Sequence, residues 1–330
     1  MQLNITIHQD TSAFDRLSKE WLTLLSHSEV NEIFMTPAYQ ATWWNTLKTG
    51  ELLLYEIRLE GGQLIGIAPL FRSANQVAFV GCKDVSDYLD FIIHKDYLDL
   101  TYQAIASELQ KLGSVSFSLC GLQQNSATLK QLPKLLHLNV DQVISQQAVC
   151  PQIVLPKTWE EYLQVLERKQ RHELKRKWKK IEQVEKVSFE CLTNPQQVSE
   201  SVPHFIELHR QSSESKREFW DPYHQTFFEQ LLPTLATQNQ LKLFFLSVAS
   251  HPKPIAAMLV FDYDNHYDLY NSGFNPEFGH LSPGQVLTSY TIKQAIEQER
   301  ELYDFLRGDE IYKLRLGGQP QPIFDLEFEL

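Results

Sequence analysis

Two stretches of the chain repeat one order of predicted elements, and this repeat constrains the fold more than any other feature. Short apolar segments separated by turn signals predict three strands, which a loop, a helix and a fourth strand follow. The first copy has these elements at 53–59, 64–71, 77–80, 98–112 and 115–119. The second copy has them at 241–246, 255–261, 266–272, 284–298 and 302–305. Because matching elements lie about 190 positions apart, the sequence predicts a duplicated unit.

The length of the chain agrees with two folded lobes. A chain of 330 residues is longer than a single hydrophobic core usually holds. An extended connector between Pro151 and Pro156 separates the two copies, so we place the lobes at residues 1–150 and 151–330. The predicted fold class is α/β, of the α+β kind, in which each lobe has a mixed and mostly antiparallel sheet flanked by helices.

Composition excludes several classes of protein. No apolar run approaches the roughly 18 residues that a membrane helix needs, and the first residues lack the basic and apolar regions of a signal peptide. The four cysteines stand 30 or more residues apart, which fits neither a zinc site nor a redox pair, so we expect reduced thiols in a cytoplasmic protein. The eleven histidines lack metal-ligand spacing, and no metal is expected.

One segment is strongly basic although the chain as a whole is acidic. The net charge is −11, yet residues 168–180 contain eight lysine and arginine residues and one glutamate. They fall on a helix predicted from Trp159 to about Glu185, with an apolar stripe toward the core. The basic face has three interpretations: a solvated surface, a surface for a polyanion, or a cationic wall for a phosphorylated substrate. Its substrate-binding candidates are Arg171 and Lys175.

A helix start that suits an anion follows the third strand of the second copy. Ser282 can cap this helix, Pro283 suits its first position, and Gly284 leaves room for a ligand. A helix start presents free N–H groups and the positive end of the helix dipole, which together can hold a phosphate. Gln285 and Asn271 complete the candidate donor-binding set. The alternative is a well-formed helix start without a ligand.

The strand after that helix ends in a turn that carries several chemically competent side chains. Acyl transfer to an amine needs a base for the ammonium proton, donors for the developing oxyanion and an acid for the leaving group. Glu310, Asp304 and Tyr312 can serve as the base or the acid, and Lys313 is a substrate-binding candidate. A solvated turn with local salt bridges is the alternative.

The loop 84–90 of the first lobe is rich in carboxylates. Its candidate substrate contacts, which would bind an amine or a hydroxyl group, are Asp87, Tyr88 and Asp90. A polar turn is the alternative, because aspartate often bonds its own backbone in turns.

Cationic and aromatic side chains flank a helix end near residue 213. His209 and Arg217 are candidates for contact with phosphate or carboxylate, together with their neighbours Arg210 and Lys216. Ordinary surface charge is the alternative for this group.

Four segments together resemble a known family. They are Asp87-Tyr88-x-Asp90, the basic segment Arg168 to Lys180, Leu281-Ser282-Pro283-Gly284, and Tyr303-Asp304-Phe305-Leu306-x-Gly308-x-Glu310-x-Tyr312-Lys313. With these segments the sequence resembles the CelD/BcsL-type acetyltransferase-like family of the GNAT superfamily. That family is similar to the Fem peptidyltransferases, which contain two GNAT lobes. The resemblance spans nearly the whole chain, and the last segment is its most specific part.

The resemblance implies a tandem GNAT fold with an acyl donor between the splayed strands of the second lobe. In such folds the helix that here begins at Gly284 binds the pyrophosphate of coenzyme A, so acetyl-CoA or another acyl-CoA is the implied co-substrate. The Fem relatives use aminoacyl-tRNA instead, and the basic helix would suit the acceptor stem of a tRNA.

Residues and resemblance together lead to three hypotheses about function. The first is an acyl-CoA-dependent N-acyltransferase that acts on an amino sugar or a similar amine in surface polysaccharide or envelope synthesis. The second is a Fem-like ligase that uses aminoacyl-tRNA. The third is a GNAT-like binding or scaffold protein without catalysis.

Overall fold

The computed structural model describes residues 2–82 and 85–330 of the chain. Internal packing divides the chain into two units, one formed by Met1–Ala148 with Gln321–Leu330 and the other by Val149–Pro320. We expected the second lobe to extend to residue 330, but residues 321–330 pack in the first unit. Asp84, in the acidic loop of the first lobe, lies outside the described residues.

The first unit begins with a strand and two helices, and the first copy of the repeat follows. Its main helices and strands are β1 (Leu3–His8), α1 (Ser12–Leu25), α2 (Pro37–Leu47), β2 (Glu51–Leu59), β3 (Leu64–Ser73), β4 (Gln76–Phe79), β5 (Ile92–Ile93), α3 (Leu98–Gln110), β6 (Ser116–Gln123), α4 (Thr128–Leu135) and α5 (Val140–Val143). Strands β1 to β4 are antiparallel neighbours in that order, and β4 pairs with β6 in parallel. The short strand β5 pairs with β3.

The second unit follows the same plan. Strand β7 (Ile144–Val154) leads into it, and the elements after that strand are α6 (Trp159–Val165), α7 (Arg168–Val184), β8 (Val187–Leu192), α8 (Pro195–Ser212), α9 (Glu214–Glu218), α10 (Pro222–Thr237), β9 (Leu241–Val248), β10 (Ala256–Tyr263), β11 (His266–Phe274), α11 (Pro283–Glu297), β12 (Leu302–Asp304), α12 (Ile311–Arg315) and β13 (Gln319–Glu329). Strands β8 to β11 are antiparallel neighbours, and β11 pairs with β12 in parallel. Helix α11 packs against β9, β10 and β11.

The duplication predicted from the sequence is confirmed. Strands β2, β3 and β4 form the same antiparallel meander as β9, β10 and β11, and a helix and a parallel fourth strand follow in each copy. The closing strands are exchanged between the copies. Strand β7, which follows the first copy, pairs with β12, whereas β13, which follows the second copy, pairs with β6.

The prediction of one helix from Trp159 to about Glu185 is wrong, because the chain turns between α6 and α7. Leu166 is buried and has an extended backbone, so packing of its side chain interrupts the helix. The guanidinium of Arg171 donates to the carbonyl of Leu163 over 3.2 Å and satisfies a carbonyl that the end of α6 leaves free. Glu167 then precedes α7, where a negative charge is favourable.

The cysteines differ in part from the expected set of four reduced thiols. Cys82 and Cys120 form a disulfide in the first unit, while Cys150 and Cys191 are free. Their spacing gave no sign of this pair, because a loop and a helix separate the two cysteines in the sequence. Cys82 follows β4 and Cys120 lies in β6, and these two strands pair in the fold. Within residues 2–82 and 85–330, no helix combines the length and the apolar character needed to cross a bilayer.

Candidate active site

Strands β11 and β12 separate after only three paired positions. The pairs run from His266 with Leu302 to Asp268 with Asp304, and β11 then continues to Phe274 without β12 while it stays paired with β10. The backbone amide of Asn275 donates to the carbonyl of Ile255. The backbone N–H and C=O groups of the odd-numbered residues at this end of β11 therefore point toward β10. Because backbone groups alternate along a strand, the carbonyl of Ser272 and the amide of Phe274 face the open edge.

Side chains from α8 and α9 reach this open edge of β11. The ammonium of Lys216 donates to the carbonyl of Ser272 over 2.5 Å, and the hydroxyl of Ser212 accepts from the amide of Phe274 over 3.2 Å. The two backbone groups are therefore satisfied, but by side chains that can move rather than by a neighbouring strand. This open edge is the splay that the GNAT resemblance implied.

His209 and Asn271, which we singled out for different roles, bond each other in the splay. The indole N–H of Trp220 donates to His209 Nδ1 over 2.9 Å, so the ring hydrogen lies on Nε2 and is donated to Asn271 Oδ1 over 3.0 Å. Burial, with the nearby charge of Lys216, lowers the pKa of His209 to about 3. The imidazole is thus neutral at physiological pH. Gly273 permits the approach of α8, because an added Cβ there would overlap the backbone of His209.

The start of α11 differs from the sequence prediction at one residue. Pro283 occupies the first turn as expected, but the hydroxyl of Ser282 does not cap the helix. Ser282 has φ 55°, in the left-handed region, whereas a capping residue usually has an extended backbone. Gly284 is not required by the fold, since its φ is not positive and an added Cβ would meet only Phe274 at 3.6 Å. Space is thus available above the first turn.

The basic helix α7 packs at this helix start. The ammonium of Lys180 donates to the carbonyl of His280 over 2.6 Å, and that of Lys177 donates to the side-chain oxygen of Gln285. The indole N–H of Trp178 fixes the contact by donating to the hydroxyl of Ser289 over 2.8 Å. Two cations therefore stand beside the positive end of the α11 dipole, an arrangement that attracts an anion.

A cavity of about 480 Å³ lies between α7, the start of α11 and α12. The polar residues that line it include Lys169, Arg176, Lys177, Gln285, Tyr312 and Arg315. Glu173 compensates part of this charge, since it pairs with Arg176 at 2.7 Å and Lys177 at 3.5 Å. Among the residues that the structure describes, Lys169 and Arg315 have no ion-pair partner, so the cavity carries excess positive charge.

Tyr312 contributes a phenol to the wall of this cavity. Burial raises its pKa well above the ordinary value, and the charge of Glu310 adds to the effect. The phenol is therefore protonated at neutral pH and can donate a hydrogen bond or a proton. Its ring packs edge-on against Phe305, with 6.3 Å between the centroids.

The loop after β12 is fixed by a buried lysine. The ammonium of Lys313 donates to the carbonyls of Leu306, Arg307 and Gly308 at 3.1, 2.9 and 3.3 Å. It also pairs with the exposed carboxylate of Glu310 at 2.9 Å. Gly308 has φ +128°, and an added Cβ would overlap that carboxylate, so glycine is required here. Lys313 thus holds the loop that presents Glu310.

Asp304 has a different environment from Glu310. It is buried, and its carboxylate accepts from the side-chain amide of Gln152 over 2.7 Å and from the amide of Leu306 over 2.6 Å. These bonds hold the carboxylate at the last pair of β11 and β12. Asp304 marks the point where the two strands separate, while Glu310 is the accessible carboxylate.

The remaining candidates lie elsewhere. Asp87, Tyr88 and Asp90 are buried in the first unit. The carboxylate of Asp90 accepts from the hydroxyls of Ser126, at 2.5 Å, and Thr128, so it is committed to internal bonds. Burial raises the pKa of Asp90 to about 6.

On α7 the structure places different cations in the cavity from those we selected. Arg171 donates a hydrogen bond to the carbonyl of Leu163 at the end of α6. Lys175 lines a separate cavity of about 340 Å³ with Trp159 and Trp178. Lys169, Arg176 and Lys177, which the sequence reasoning passed over, line the basic cavity. Arg176 and Lys177 follow Lys169 by seven and eight positions, which places all three on one face of an α-helix. This spacing is the sequence signal that could have identified them. Arg217 is exposed on α9.

No group of histidine, cysteine and carboxylate side chains able to hold a metal is found within residues 2–82 and 85–330. The side chains described above can form hydrogen bonds, transfer protons and bind an anion. A protonated phenol, an accessible carboxylate and a cationic cavity occur together in the second unit.

Part of the second unit is similar to a known protein family. Residues 168–314 match the family described as acetyltransferase (GNAT) domain, which covers the basic helix, the start of α11 and the loop after β12. A search with the sequence finds no match among curated proteins.

Several solved structures share the fold over nearly the whole chain. The crystal structure of FemX is 12% identical, with a TM-score of 0.65 over 98% of this chain and 97% of that one. A tandem GNAT protein from the clavulanic acid biosynthesis pathway is 8% identical, with a TM-score of 0.56 over 99% and 98%. The C-terminal domain of a putative lysylphosphatidylglycerol synthetase from Agrobacterium fabrum is 8% identical, with a TM-score of 0.59 over 95% and 92%. At such identities the likeness concerns the fold alone.

Proposed function

We propose that this chain is an acyl-CoA-dependent N-acyltransferase. Two findings support the proposal: residues 168–314 match a GNAT acetyltransferase domain, and the chain shares the fold of FemX and of a tandem GNAT protein. Its acceptor is a primary amine, for which an amino sugar is the leading class. The proposal rests on one observation: the basic cavity beside Tyr312 opens next to the uncrowded start of α11.

The start of α11 supports binding of the donor's phosphates. Gly284 leaves the first turn open, and the ammonium groups of Lys177 and Lys180 stand beside it. These lysines now donate to a neutral side-chain oxygen and a carbonyl. A phosphate would replace those partners with charge-assisted bonds, which are shorter and stronger. We therefore assign the pyrophosphate of acetyl-CoA to the turn that contains Ser282, Pro283, Gly284 and Gln285.

The transfer step is direct attack of the amine on the thioester carbon. A carbon–nitrogen bond forms and the carbon–sulfur bond breaks, so the nitrogen loses a proton and the sulfur gains one. Tyr312 is suited to donate to the leaving sulfur because its phenol stays protonated. Glu310 is suited to accept the ammonium proton because its carboxylate is exposed. Asp304 stays in a positioning role, since internal donors already occupy it.

Aminoacyl-tRNA-dependent transfer of the Fem type is the second candidate. One observation favours it: α7 exposes Arg168, Lys169, Lys175, Arg176 and Lys179 along a single helix, which suits an RNA backbone. In either case we place the reaction in surface polysaccharide or envelope synthesis, in the cytoplasm. A scaffold without catalysis is the remaining hypothesis if the protein binds neither donor.

Calorimetric titration with acetyl-CoA tests the proposal. We expect binding to the wild-type protein and its loss in Gly284→Trp, because the indole would fill the space above the first turn. Gly61→Trp is the matched control, since an added Cβ at that turn of the first unit meets nothing within 4 Å. Absence of acetyl-CoA binding to the wild-type protein would contradict the proposal. Saturable, salt-sensitive binding of an aminoacyl-tRNA would then support the second candidate.

A further inference from the structure

Lys216 stands in the gap that opens between β11 and β12. It lies on the short helix α9, where the hydroxyl of Ser213 accepts from its backbone amide over 3.2 Å. Its ammonium reaches the open edge of β11 and donates to the carbonyl of Ser272 over 2.5 Å. Within the part of the chain that the structure describes, this carbonyl is its one hydrogen-bond partner. An ammonium has three donors, so two remain for a ligand.

The surroundings of Lys216 contain few competing charges. The charges of Glu310, which directly precedes α12, and of Lys313, which lies on α12, act on the ammonium of Lys216. His209 faces it from α8 and is neutral. Burial lowers the pKa of Lys216, the Glu310 charge opposes the lowering, and the Lys313 charge adds to it. A half-buried ammonium with unused donors is costly to maintain unless a ligand or substrate uses it.

The position of Lys216 relates it to the proposed donor site. Phe274 lies beside Gly284, where the phosphates of the donor are assigned, and Ser272 is two residues further into the gap. Two residues of a strand span about 7 Å. A donor that extends from the start of α11 along the open edge of β11 therefore leads its acyl end toward Lys216.

We propose that Lys216 is the hydrogen-bond donor that stabilises the oxyanion of acyl transfer in the second unit. This inference rests on the proposed function. The amine lone pair forms the carbon–nitrogen bond while the carbonyl π electrons move onto oxygen, and Lys216 donates to that oxygen. The carbonyl then re-forms, the carbon–sulfur bond breaks, and the sulfur leaves with its electron pair and takes a proton. The amine proton passes to Glu310 or water.

The experiment compares Lys216→Met and Lys216→Arg with Lys253→Met, which removes an exposed lysine from a turn of the same unit. Thiol release from acetyl-CoA is measured with glucosamine as the probe acceptor. We expect Lys216→Met to lower kcat by about 10²–10³-fold, the usual effect of losing one oxyanion donor, with little change in the KM for acetyl-CoA. Lys216→Arg should recover part of the loss, and Lys253→Met should match the wild type.

A pH profile separates this role from a structural one. Wild-type kcat should fall as the pH rises through the pKa of Lys216, and the Lys216→Arg profile should lack that fall because arginine does not titrate in this range. An active wild type with an equally active Lys216→Met variant overturns the inference and leaves the proposed function intact. Tighter acetyl-CoA binding with unchanged kcat in Lys216→Met also overturns it. Lys216 would then only occupy the gap between β11 and β12 and obstruct the donor. A wild type that does not bind acetyl-CoA contradicts both.

Discussion

His209 donates its Nε2 hydrogen to Asn271 Oδ1 over 3.0 Å, and this bond ties α8 to the splayed end of β11. The same segment of β11 contains Gly273, where α8 comes into backbone contact. The helix thus determines the shape of the open edge along which a donor would lie. Substitutions at this contact should affect both stability and ligand binding.

Gly273→Ala should destabilise the protein. The added Cβ would overlap the backbone of α8, and overpacking of this kind costs about 1–3 kcal/mol. Gly284→Ala is the matched control, because its Cβ has room and alanine favours a helix by up to about 1 kcal/mol. The free energy of unfolding in urea measures both. Equal stability of the two variants would show that α8 can shift away from β11.

His209→Phe should reduce the sensitivity of stability to acid. The pKa of His209 is about 3 in the folded protein against an ordinary 6.5. As the pH falls below 6.5, the unfolded chain therefore binds a proton that the folded chain does not, and the free energy of unfolding decreases by about 1.4 kcal/mol per pH unit. Phenylalanine removes this contribution. Unfolding measured between pH 7 and 4 tests it, with the exposed His204→Phe as the control on the same helix.

Asp90→Asn, in the first unit, should remove a contribution to stability whose dependence on pH is opposite to that of His209. Burial raises the pKa of Asp90 from 3.8 to about 6, so the folded chain keeps a proton that the unfolded chain has lost. Stability from this group is full below pH 4 and falls by about 3 kcal/mol as the pH rises through 6. The variant should therefore gain stability relative to the wild type between pH 4 and 7. An unchanged difference across that range would contradict the shift, and the exposed Asp15→Asn is the control.

Glu310→Gln should slow the chemical step and spare donor binding. Loss of a general base typically costs 10²–10⁴-fold in kcat. The loop should keep its shape, because Lys313 also donates to three carbonyls. Steady-state kinetics with acetyl-CoA and glucosamine, together with calorimetry, measure the two effects, and the adjacent Asp309→Asn is the control. Normal turnover by Glu310→Gln would exclude this residue as the base.

The duplicated plan was predictable because it depends on local signals. Short apolar segments, turns and a following helix recur in both copies, and each signal is contained within a few residues. The break between α6 and α7 was not predictable, because the helical pattern continues through Leu166. Burial of that side chain and the bond from Arg171 to Leu163 decide the turn, and both depend on tertiary structure.

The candidate site was predictable in its segments but not in its contacts. The start of α11 and the loop after β12 were located from caps, glycines and carboxylates. The sequence did not reveal that Lys313 is buried beneath its own loop or that His209 bonds Asn271, because these distances depend on how helices dock on the sheet. It also did not reveal which cations of α7 face the cavity. That face is selected by the contact of Trp178 with Ser289.

The exchange of closing strands affects how the chain folds during synthesis. The first unit includes residues 321–330, and in their absence one edge of β6 has no partner from β13. Strand β13 is synthesised long after β6, so the nascent first unit has an exposed strand edge during that interval, and such an edge is prone to aggregation. Separate expression of residues 1–150 should therefore give a poorly soluble product, whereas supplying residues 319–330 as a peptide should rescue it.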